Sequence, residues 1–145
     1  MDLTTNYPAS VREKLLGIVQ LKRTIDKGKA VAIGKAGEYN YDCPMDKHLF
    51  EWLGITGEDL LDVIKTETDE EIVEYVAPYV HAKTDEEIEA FNSDWLQYGP
   101  EPGSPSMEYF LKLRNEVAPD RTDVTSWADL LDLDEKRPVP RRVAA

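Results

Sequence analysis

The residues best equipped for chemistry fall between Arg23 and His48. Arg23 and Lys27 are four apart with Asp26 close by, so on a helix the two cations share a face and can converge on one carboxylate or phosphate. Glu38, Tyr39, Tyr41, Asp42, Cys43, Asp46 and His48 follow within a short stretch. Glu38 is placed to orient an arginine, and the tyrosines offer aromatic walls with hydroxyl handles. The charge distribution favours an anionic small molecule here. Val11 to Lys35 holds seven basic residues against two acidic ones, in a chain of net charge −12. The same residue types also make a buried or half-buried ion-pair network that fixes helix packing, and such networks are common.

Cys43 is the most suggestive single residue. With Pro44 as the first helical residue, Cys43 falls at the cap, where the amide dipoles favour a thiolate. The flanking carboxylates of Asp42 and Asp46 oppose that charge, and a free cysteine is among the most often buried residues. No metal site is expected, because Cys43 and His48 fall short of the four ligands of structural zinc, and His81 is remote in sequence. The sequence contains no Glu-x-x-His pair, phosphate-binding glycine loop, serine elbow or zinc-protease motif, so no cofactor is expected either.

The elements that must position these groups read as helices. Ser10-Val11-Arg12-Glu13 has the pattern of a capping box. Behind it Val11, Leu15, Ile18, Val19 and Ile25 follow helical spacing up to Gly34 and Gly37, with Gly17 as a possible break between two helices. Residues 34–44 read as an irregular loop. Pro44 opens a helix that ends at Gly54. Thr56-Gly57-Glu58-Asp59, Thr68-Asp69-Glu70-Glu71 and Thr84-Asp85-Glu86-Glu87 each mark a further helix start. Ser104-Pro105 and Ser126 open two more. The expected fold class is all-α, an irregular bundle of about six to seven helices with no strand. The aromatics Trp52, Tyr75, Tyr79, Phe91, Trp95, Phe110 and Trp127 are expected in or beside the core.

A length of 145 residues suits one domain, expected over residues 1–135, with a Pro- and Arg-rich frayed tail over 136–145. No run of ~18 apolar residues suggests a membrane span, and the polar amino terminus does not read as a secretory signal, so a soluble cytoplasmic chain is expected. The net charge argues against nucleic acid and anionic membranes as partners. Thr56 to Gln97 carries thirteen acidic residues against Lys65 and Lys83. That block reads as capping carboxylates and solvated helix faces, or as a face for a partner protein.

Four clustered motifs carry a resemblance: Ile25-Asp26-Lys27, Gly37-Glu38-Tyr39, Cys43-Pro44-x-Asp46, and Phe50-x-x-Leu53-Gly54-Ile55. Over roughly residues 10–98 the chain resembles a bacterial family catalogued as a domain of unknown function. That resemblance implies a shared fold and points at these residues without assigning them an activity.

Two functions are therefore expected. The first is a non-catalytic module that binds a small anionic ligand or a protein partner, its ligand-binding residues being Arg23, Asp26, Lys27, Glu38, Tyr39, Tyr41, Cys43, Asp46 and His48. The alternative is a small enzyme or redox-responsive protein built on the cluster around Cys43.

Overall fold

The computed structural model describes residues 1–142. Among them are seven helices and no strand: α1 (Leu21–Ala32), α2 (Pro44–Leu53), α3 (Gly57–Thr66), α4 (Asp69–His81), α5 (Asp85–Gln97), α6 (Pro105–Val117) and α7 (Trp127–Asp134). The fold is all-α, as the spacing predicts. Two compact units divide the chain between Ala90 and Phe91, inside α5. No described helix is long and apolar enough to cross a membrane.

Helix starts follow the local chemistry of their caps. The hydroxyls of Thr56, Thr68, Ser104 and Ser126 accept the amides of Asp59, Glu71, Met107 and Asp129. Glu71 and Glu87 reach back to the amides of Thr68 and Thr84, completing two capping boxes. At α2 the cap is Cys43, Pro44 takes the first helical position, and Gly54 closes the helix at φ 84°.

The helix expected from Ser10 does not form, and α1 begins only at Leu21. Leu16 and Gly17 have φ of 54° and 80°. Two successive positive φ values make a tight two-residue turn, across which Leu15 and Ile18 exchange amide–carbonyl bonds of 3.0 and 3.1 Å. Gln20, at φ 72°, reverses the chain again and donates its amide to Val11 O at 2.9 Å. Ser10 Oγ accepts from Arg12 N, and the Glu13 amide donates to the Ser10 carbonyl at 3.1 Å. The apolar residues of this segment are nonetheless inside: Val11, Ile18 and Val19 are fully buried. Their spacing reported burial correctly and conformation incorrectly.

In the first unit α3 packs on α1, α2 and α4. The core is Leu21, Ile25, Leu49, Phe50, Leu53, Leu60, Ile64, Ile72, Val76 and Val80, joined by Leu3, Val11, Ile18 and Val19 from the irregular amino-terminal segment. Eight of the twelve residues of α1 are buried, including charged ones, which makes it an enclosed helix. Gly28 lets α3 and the ring of Tyr41 come close, since a Cβ there would meet Ile64 Cδ1 at 2.6 Å and the ring at 3.2 Å. In the second unit α6 packs on α7 around Phe110, Val124 and Leu130. Gly99 is required there, because a Cβ would lie 2.2 Å from the Thr125 carbonyl oxygen. The tail expected over residues 136–145 lies outside the described residues at 143–145.

Candidate functional site

Lys27 is the hub of the candidate cluster. It is 4% exposed, and its ammonium donates to Asp46 Oδ2 at 2.8 Å, to Asn40 O at 3.1 Å and to Cys43 Sγ at 3.4 Å. Asp46 is completely buried. Its other oxygen accepts from Thr24 Oγ1 at 2.6 Å and Gln20 Nε2 at 3.1 Å, and Oδ2 also takes the Cys43 amide at 3.4 Å. A buried carboxylate is tolerated only when so surrounded by donors. The network ties the start of α1 (Gln20, Thr24), its second turn (Lys27), the loop (Asn40) and the first turn of α2 (Cys43, Asp46) into one unit.

A second group fixes the amino-terminal segment on the same helix. Asp26, 2% exposed, accepts the Ala9 amide at 2.9 Å and the Lys22 ammonium at 2.6 Å. Arg23, 4% exposed, donates to the Ala9 carbonyl at 3.2 Å and lies over the Tyr39 ring at 5.7 Å. Arg23 and Asp26 thus hold the two polar groups of one peptide residue.

Tyr41 is the third anchor. Its hydroxyl donates to Gly57 O at 2.7 Å and its ring leans on Phe50 with centroids 6.0 Å apart. Burial, followed by the nearby carboxylates of Asp46 and Asp42, pushes its pKa well above that of a free tyrosine. The remaining candidates lie further out: Glu38 and His48 are exposed, and Tyr39 and Cys43 are half-buried. The structure therefore brings Arg23, Asp26, Lys27, Tyr41, Cys43 and Asp46 into the packing between α1, the loop and α2, and leaves Glu38 and His48 at the surface.

Gln20 and Thr24 belong to this network and escaped the sequence reading. Neither carries a charge, and the only available signal was their helical spacing, seven and three residues ahead of Lys27. The opposite charge pattern holds outside. Glu58, Asp59, Asp62, Asp69, Glu70, Glu71 and Glu74 on α3 and α4 are exposed. Asp69, Glu70, Val73 and Glu74 line an open depression of about 430 Å³. At its edge the Lys29 ammonium sits 2.7 Å from Asp69 and holds that carboxyl below the ordinary aspartate range.

A family model described as a domain of unknown function, DUF5069, matches residues 5–137. The chain belongs to this family. The match covers every element from the irregular amino-terminal segment through α7, including the whole buried network, and so reaches into both compact units. No curated protein matches the chain.

Proposed function

We propose that this DUF5069 protein is a non-catalytic binding module that recognises a cationic side chain of a partner protein at the acidic face of α3 and α4. The observation that supports this reading is the division of charge. The cations once expected to meet an anion, Arg23 and Lys27, are enclosed and engaged within the fold. An anion at either would have to displace a carboxylate, a carbonyl or an aromatic ring. The carboxylates of Glu70 and Glu74 instead flank an open depression with Val73 beside them. That combination suits a lysine or arginine, whose aliphatic stem lies on Val73 while its charged head meets the carboxylates. The chain's own Lys29 already sets an ammonium 2.7 Å from Asp69, a carboxylate of the same depression.

Binding of a labelled lysine-rich peptide to the parent and to a Glu70→Lys, Glu74→Lys variant tests the proposal. Affinity that survives in low salt only for the parent supports it. Equal affinity for the two proteins, with both folded, rules this face out.

The contact between Lys27 Nζ and Cys43 Sγ favours a second reading, a redox-responsive thiol. Alkylation of the native protein faster than a model thiol at neutral pH supports it. Labelling that accelerates only on unfolding makes Cys43 a packing residue.

A further inference from the structure

The carboxyl-terminal segment Arg137–Arg142 lies against the second unit through its charged groups and main-chain carbonyls. Arg142 grips Asp129 with two bonds, Nε to Oδ2 at 3.2 Å and a terminal nitrogen to Oδ1 at 3.0 Å. Its amide donates to Asp123 Oδ2 at 2.7 Å. Arg137 bonds Glu135 and lies 3.6 Å from Asp132. Arg141 reaches Asp120 at 2.8 Å. The carbonyls of Val139 and Pro140 accept from Arg121 at 3.0 and 3.1 Å, while Arg121 is itself steadied by a two-bond pairing with Asp123. Val139, 8% exposed, is sunk into the unit between prolines that are exposed.

These contacts have the form of peptide recognition. One surface supplies an apolar seat, a guanidinium that reads two successive carbonyls, and buried carboxylates for arginines. Asp129, Asp132 and Glu135 are each no more than 4% exposed. The segment supplies Val139, two carbonyls that proline geometry presents without a competing amide at 138 or 140, and Arg142 three residues after the apolar one. The family match ends at residue 137, so nearly all of this strap follows the matched region.

We propose that the surface formed by Arg121, Asp123, Asp129 and the end of α7 is a binding site for an extended partner peptide carrying an apolar residue, a proline and an arginine in the order Val-Pro-x-Arg. The chain's own residues 137–142 fill it in cis and so block it. The site lies in the second unit and stands independently of the acidic face of α3 and α4.

The test uses a fluorescent peptide of sequence RPVPRR and a chain ending at Lys136. The shortened chain should bind the peptide and the full chain should not. Asp129→Asn in the shortened chain should weaken binding about tenfold or more, as loss of a charge-assisted pair does. A peptide with lysine at the three arginine positions has the same charge without the fork, and should bind poorly. A folded shortened chain that ignores RPVPRR, or binds the lysine peptide equally, overturns the proposal. Should the shortened chain fail to fold, the full-length Val139→Ser, Arg142→Ala variant decides instead. Peptide binding by that variant and not by the parent supports the site, and no binding overturns it.

Discussion

Lys27 and Asp46 show what a charged pair does when it is taken wholly out of water. Each is held by several partners, so removing either leaves the other enclosed without its counter-charge. Lys27→Ala and Asp46→Ala are each expected to destabilise the first unit by about 3–5 kcal/mol, the usual result of breaking a buried pair. The double variant should lose clearly less than the two single losses combined, because the residues share one network. Urea titrations of the three variants measure this, and additive losses would mean that the pair is not coupled. The same residues show how much of the candidate site was legible in the sequence. Residue type and spacing singled out Lys27, Cys43 and Asp46, which meet in one network, and Asp26, which holds the amino-terminal segment. Their burial was not legible, because a helix such as LKRTIDKGKAVA has no apolar stripe wide enough to announce that it is enclosed. Burial here comes from Ala9, Asn40 and the first turn of α2 folding over polar groups, which only tertiary structure reveals.

Helix ends are encoded locally, which is why five of the expected starts, from Thr56 to Ser126, match the structure. A Thr or Ser hydroxyl satisfies a first-turn amide wherever the helix later packs, and at all of these starts but Ser104 a carboxylate follows three residues on. Thr68→Ala and Thr84→Ala should therefore each lower stability by roughly 0.5–2 kcal/mol. Unchanged denaturant midpoints in both would show that these caps carry no weight. The failure at Ser10 has the opposite cause. Val11, Leu15, Ile18 and Val19 satisfy helical spacing by coincidence, since a tight turn at Leu16-Gly17 also returns Ile18 and Val19 to the core. Leu-Gly is a weak turn signal beside Asn-Gly, so composition offered no warning.

At the scale of the whole molecule, acidity should act first on the strap of the second unit. Asp123 is held well below the ordinary aspartate value of 3.8, chiefly by its bonds from Arg121 and then from the Arg142 amide. Asp120 is lowered chiefly by Arg141. Depressed folded-state values stabilise the closed form above the unfolded value, and that contribution is lost as pH falls through and below it. The facing groups are Arg121, Arg141 and Arg142 with Asp120, Asp123 and Asp129, so protonation leaves arginines without counter-charges. Hydrogen exchange at the Arg142 amide should thus stay slow at neutral pH and quicken below about pH 4, where the aspartates of the opened segment begin to take up protons. Exchange that is fast and pH-insensitive, after correction for intrinsic rates, would mean the strap is open throughout. A different consequence follows from the enclosed polar face of α1, and it concerns time. Its bonds to Ala9, Asn40, Cys43 and Asp46 span 13 to 22 residues of chain, and every one needs an element that must already have arrived. A helix with so little apolar surface is a poor seed for collapse, whereas α4 carries its own capping box and a local apolar face. Helix α1 should lock late in folding. Ala30→Gly is expected to speed unfolding and leave the folding rate nearly unchanged, while Val76→Ala in α4 should slow folding. Stopped-flow kinetics giving the reverse order would make α1 the nucleus.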